Sequence, residues 1–165
     1  MAHKLLHKAA MRLRMEHFHA GAMHVAIRYA LTREQAAMAK RTKKHFSGLT
    51  HSGWGMEARF APCQDTLTLL NVLRGVWAKR PEGPEFARPF FVGVTMHSLI
   101  PESEMQQTLF ADPGNRAELA ATMDKLNLKY GHTTLHFAGM LPAKESAPTR
   151  IAFTQIPVRY GVDYM

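Results

Sequence analysis

Cysteine is nearly absent. Cys63 is the only one among 165 residues, so neither a disulfide framework nor a cysteine zinc site can be assembled, and without a matching histidine motif the thiol is no candidate nucleophile. A reducing, cytoplasmic compartment is expected. No apolar run approaches the ~18 residues of a membrane-spanning helix. The first eight residues interleave His3, Lys4, His7 and Lys8 with Leu5 and Leu6, which is not the uninterrupted apolar core of a secretory signal. A Gly-rich phosphate loop of Rossmann or P-loop type is also missing. Acids are scarce in one region only. Residues 1–44 hold Glu16 and Glu34 against ten Lys/Arg, whereas residues 45–165 hold eleven of each sign. The whole net charge of +8 therefore lies in the first quarter of the chain. Such concentration suits a polyanion, most often nucleic acid, although a solvated basic helix and loop would give the same pattern.

Apolar residues make up 46% and charged residues 21%, the usage of a globular chain. The length suits one domain, or one domain with an extension, burying roughly 70% of its unfolded surface. Residues 3–18 carry Leu6, Ala9 or Ala10, and Leu13 at helical spacing, with Lys4, Lys8, Arg12 and Arg14 outside the stripe and Gly21 as the stop. From His24 to Tyr29 the period becomes two: Met23, Val25, Ile27 and Tyr29 point one way, and His24, Ala26 and Arg28 the other. The stretch 31–52 reads as a long basic connection containing Lys40 to His45. Trp54 to Phe60 is a second strand, with Trp54, Met56, Ala58 and Phe60 opposed to Glu57 and Arg59. Asp65 caps a helix over 66–79, with Leu69, Leu70, Leu73, Val76 and Trp77 as its stripe. Pro89 to Met96 is a third strand, with Phe90, Val92, Val94 and Met96 opposed to Phe91, Gly93, Thr95 and His97.

Beyond Pro101, Asn115 and Glu118 have capping-box spacing, Leu119, Met123, Leu126 and Tyr130 form a stripe, and Gly131 ends the helix. Thr134–Ala138 and Arg150–Ile156 read as short strands. His3 and His7 stand four apart but lack a third ligand, which makes them a surface pair rather than a metal site. His17, His19 and His24 have no metal-site spacing, and the eleven methionines are core filler.

The order α-β-β-α-β lacks only a leading strand to be a ferredoxin-like βαββαβ unit. Helices would cover one sheet face. The other would present His24, Arg28, Arg59, Thr95 and His97, a polar and partly basic set of the kind phosphate contacts need, and equally of the kind any half-exposed sheet shows to water.

The stretches Leu5–Arg14, Ala20–Val25, Trp54–Phe60 and Asp65–Leu70, in that order, resemble the little-finger domain of Y-family translesion DNA polymerases of the bacterial ImpB/MucB/SamB group. Asp124–Gly131 is similar to that group's "Asp-x-Ile-Asn-x-x-Tyr/Phe-Gly" helix end, and Ala147–Pro157 to a tail segment. The resemblance implies an α+β, ferredoxin-like little-finger sheet with two helices on one face and a C-terminal helix/strand extension. It implies a domain over 1–101 that lies in the DNA major groove and holds backbone phosphates regardless of sequence, with 102–165 as linker and extension. Carried over by residue, it makes Arg28, Arg59 and Thr95 contacts to primer-template DNA. Lys40, Arg41, Lys43 and Lys44 join them as a loop contact on grounds of charge. The family's metal-binding palm, an Asp and an Asp-Glu pair, has no counterpart here. Glu102 and Glu104, beside Pro101, read as solvated charge. The chain alone is thus expected to be no enzyme and to need no cofactor, Mg²⁺ belonging to the palm. The family's first strand is also missing, and Arg150–Ile156 could take its place.

Gln106-Gln107-Thr108-Leu109-Phe110 matches Gln-x-x-Leu-Phe, which resembles the peptide that docks bacterial replication proteins on the sliding clamp. Leu109 and Phe110 would fill an apolar pocket while Gln106 anchors by hydrogen bonds. Two rival readings stand beside the polymerase one. A free-standing ferredoxin-like RNA- or nucleic-acid-binding module would need exposed aromatics on the sheet, where Phe90 or Phe91 could serve with the other facing the core. A small metal-dependent nuclease would need convergent histidines and carboxylates, which the spacing does not offer.

Overall fold

The computed structural model describes residues 1–31, 51–83, 86, 89–105, 115–131 and 134–143. Helix α1 (Ala2–Met15) leads into strand β1 (Phe18–Ala30). Strand β2 (His51–Cys63), helix α2 (Thr66–Trp77) and strand β3 (Pro89–Pro101) follow. A single 3-10 turn (Glu102–Glu104), helix α3 (Arg116–Tyr130) and a second 3-10 segment (Ala138–Ala143) complete the described chain. The class is α+β and ferredoxin-like, with a three-stranded antiparallel sheet in the order β2-β1-β3. Since β2 and β3 both run antiparallel to β1, they are parallel to each other. Helix α2 carries the chain across β1 from one edge to the other, as a split β-α-β unit does.

The period-two pattern sets the core. Met23, Val25, Ile27 and Tyr29 are all buried; Met23 and Val25 cluster with Leu6, Ala10 and Leu13 of α1 and Leu69, Leu73 and Val76 of α2, and Tyr29 packs edge-on against Phe86. From β2 and β3, Trp54, Met56, Val92, Val94 and Met96 pack against the same cluster. Each fully buried Leu, Ile or Met side chain contributes roughly 1.5–3 kcal/mol by leaving water. Asp65 caps α2 as the sequence indicates: its Oδ1 accepts from the Thr68 amide at 2.8 Å.

Several expectations are corrected. Helix α1 stops at Met15, not at Gly21, because His17 takes the left-handed conformation (φ 56°) and turns the chain straight into β1. Gly21 lies inside β1, where an added Cβ would sit 3.4 Å from the Ser98 carbonyl oxygen. The Asn115 side chain accepts no amide of α3, although its carbonyl accepts from the Leu119 amide at 2.9 Å. Asn115 is itself left-handed (φ 44°), and its Nδ2 donates to the Glu118 carboxylate at 3.0 Å. The expected stripe of α3 is split, with Leu119 and Tyr130 exposed and Met123 and Leu126 half-buried. The helix faces α1 through Ala120, Met123, Asp124 and Asn127, and Asp124 binds Arg14 of α1. Thr134–Ala138 is not a strand. Asn127 reaches past the end of α3, its Oδ1 accepting from the Leu135 amide at 2.8 Å and its Nδ2 donating to the Leu135 carbonyl at 2.9 Å. Both backbone groups of Leu135 are thereby used without a strand partner. Arg150–Ile156 lies outside the described residues.

His3 and His7 are not a surface pair. His3 Nδ1 lies 3.1 Å from the Gly139 carbonyl oxygen, and the His7 ring packs on Phe137 with centroids 5.6 Å apart. Both help to seat the 3-10 segment, whose Met140 is buried.

Candidate nucleic-acid interface

The two faces of the sheet differ because α1 and α2 both lie on the side chosen by the odd-numbered residues of β1. Pairing then fixes four rows on the other side. They are Gly53–Arg28–Phe91, Gly55–Ala26–Gly93, Glu57–His24–Thr95 and Arg59–Ala22–His97. All five residues expected on the open face are therefore on it. Arg28, Arg59 and Thr95 are exposed, and His24 and His97 are half-buried. Lys40, Arg41, Lys43 and Lys44 lie outside the described residues, as do Gln106, Leu109 and Phe110.

The face carries its own counter-anion. Arg59 Nε donates to Glu57 Oε1 at 3.1 Å, and His97 Nε2 stands 3.5 Å from Glu57 Oε2. Such an exposed pair contributes little to stability, about 0.2–1 kcal/mol, so Arg59 can exchange the carboxylate for a phosphate at small cost. Alternation places Glu57 and Arg59 on one side but does not reveal that they bind each other.

At the opposite end, Arg28 holds its guanidinium carbon 5.1 Å from the centroid of Phe91. Neither phenylalanine of β3 enters the core: Phe90 is 61% exposed and Phe91 44%. The expectation that one of them faces the core therefore fails. Alternation already put Phe91 beside Gly93 and Thr95, so it belonged to the open face from the start.

Below β1, His17 Nδ1 donates to Glu102 Oε2 at 2.9 Å, and the Glu102 amide donates to the His17 carbonyl at 2.8 Å. The hydrogen bond from His17 holds the Glu102 carboxyl below the usual carboxylate range. Burial pushes the Cys63 thiol up to about 12, which leaves it protonated and a poor nucleophile. Among the described residues, no three His, Cys, Asp or Glu side chains converge as metal ligands. No helix among them is long and apolar enough to cross a membrane.

Residues 1–109 match the family model of the impB/mucB/samB family C-terminal domain. No curated protein and no solved structure matches the chain.

Proposed function

We propose a function that proceeds from membership: the chain belongs to the impB/mucB/samB family, whose C-terminal domain it carries over residues 1–109, and that domain here grips DNA for a Y-family translesion polymerase. The observation that supports this reading is the open sheet face. Arg28, Arg59, Thr95, His24 and His97 share it, and α1 and α2 both pack on the other side. In this reading the donors hold backbone phosphates, which carry no sequence information, so the grip is independent of sequence. The basic residues of 1–44, Lys40, Arg41, Lys43 and Lys44 among them, add a long-range pull toward the duplex. In this reading the chain positions primer-template DNA in the cytoplasm during lesion bypass. It performs no phosphoryl transfer itself, since that chemistry needs metals held between carboxylates and substrate phosphates. A free-standing RNA-binding module accounts for the same face but not for the family.

Binding of unrelated duplexes should be weak, equal, and linear in log affinity against log salt, because counterion release drives it. Arg28→Glu and Arg59→Glu should weaken all duplexes alike. Each neutral substitution at these positions should lower the salt slope by about 1. Salt-independent affinity, or strong preference between two unrelated duplexes, would count against the reading.

We further infer that Gln106, Leu109 and Phe110 dock the chain on the bacterial sliding clamp, the acids Glu102, Glu104 and Asp112 marking a polar setting for an apolar pair. Leu109→Ala with Phe110→Ala should abolish clamp binding in a pull-down or titration while the melting temperature stays nearly constant. A loss of roughly 2–5 kcal/mol of stability per truncation would instead identify the pair as core.

A further inference from the structure

The centre of the open face is nearly without side chains of its own. In the row Gly55–Ala26–Gly93 nothing extends past the Ala26 methyl. Glycine inside a strand weakens it and marks close approach by another group, and here two planar rings make that approach. The His24 imidazole lies over Gly55, with Nε2 2.9 Å from where a Cβ would stand. The Phe91 ring lies over Gly93, with Cε1 3.1 Å from the corresponding position. A side chain at either glycine would lift the ring above it. The edge of one ring reaches in from each neighbouring row toward the middle of the sheet. Phe91 remains 44% exposed in this arrangement, and the exposed Arg28 holds its guanidinium over the ring, 5.1 Å from the centroid.

Resting on the DNA-binding reading above, we propose that Phe91, beside this side-chain-poor centre, is a stacking platform for an unpaired nucleobase, with Arg28 moving off the ring to become the partner of its phosphate. A base within a duplex has both faces covered by its neighbours and offers only its edges. An exposed aromatic ring beside a row that lacks side chains is therefore matched by a base that has left the stack. Stacking accepts any base, since each has a π-face. The Arg28 cation supplies the charge complementarity that selects a nucleotide over an uncharged apolar partner.

The test compares two single-stranded probes of equal length and phosphate count, oligo(dT) and an all-abasic strand, together with a duplex. The proteins are the full chain and its Phe91→Ala and Phe91→Trp variants. Phe91→Ala should weaken oligo(dT) binding roughly 5- to 100-fold, the range of single aromatic truncations at stacking sites. It should leave abasic-strand and duplex binding unchanged, and Phe91→Trp should retain oligo(dT) affinity. The thermal midpoint of each variant shows that the fold is kept. Equal losses on oligo(dT) and the abasic strand, no loss on oligo(dT), or wild-type binding that ignores the bases would each overturn the platform while leaving duplex binding intact. Failure of the wild-type chain to bind any of the three probes would overturn the platform together with the DNA-binding reading.

Discussion

Arg14→Ala is expected to cost about 3–5 kcal/mol of folding stability, the range for removing one partner of a buried ion pair. This one side chain ties α1 to both α2 and α3. From α1, Arg14 donates to both carboxylate oxygens of Asp124 in α3, from Nε at 2.6 Å and from Nη2 at 3.0 Å. Its Nη1 donates to the Gln64 carbonyl at 2.6 Å and the Thr66 hydroxyl at 3.2 Å, at the start of α2. The two side chains are only 10% and 15% exposed, so truncating Arg14 leaves the Asp124 carboxylate unpaired and poorly hydrated. Two further variants separate charge from shape. Arg14→Lys keeps the charge but not the planar fork, and should fall between wild type and Ala. Arg14→Met with Asp124→Leu removes both charges and should recover most of the loss. Urea unfolding midpoints at constant slope measure all three. A cost under about 1 kcal/mol for Arg14→Ala would show that the pair is no more than a surface ion pair.

Arg14 also shows where sequence reasoning stopped. By helical spacing it falls outside the apolar stripe of α1, as do Lys4 and Lys8, and periodicity offers no means of telling an inward arginine from an outward one. Its partner is 110 residues away, a separation that local pattern does not span. The face of α3 escapes periodicity for the same reason. Leu119 and Tyr130 make the better stripe, yet the contact to Arg14 turns the helix onto Ala120, Asp124 and Asn127. Where alternation was strong the reading was sound. Met23, Val25, Ile27 and Tyr29 are buried, and His24, Arg28, Arg59, Thr95 and His97 share the face opposite the helices, because a period of two has only two outcomes per strand. What alternation leaves out is who meets whom across strands. The Glu57–Arg59–His97 cluster and the approach of Phe91 to Arg28 depend on register, and register follows from the length of connections that the pattern does not specify.

A second large effect is expected from pH, and it centres on His7. Its ring packs on Phe137 beside a small cavity of about 80 Å³ between α1 and α3, and its Nε2 has no hydrogen-bond partner. Burial, followed by the nearby His3, Arg14 and His136, lowers its pKa from 6.5 to about 4. The folded state thus favours the neutral ring, while the unfolded chain takes up a proton near pH 6.5. The stability is fully present above pH 6.5, declines as pH falls from 6.5 toward 4, and levels off below 4. The shift corresponds to at most about 3 kcal/mol, and partial exposure of the ring brings this to roughly 1–3 kcal/mol. Burial also lowers the pKa of His19, which acts in the same direction, and protonation of Glu102 adds a loss at more acidic pH. The wild-type curve is therefore a sum, and the His7 share is isolated by difference. His7→Phe keeps the ring against Phe137 and removes the titration. Its melting temperature should fall less than that of wild type between pH 7 and pH 4.5, with the two curves diverging below about pH 6.5. Parallel curves over that interval would mean that His7 can take its proton without leaving the fold, and that the packing of residues 134–143 on α1 does not depend on a neutral ring.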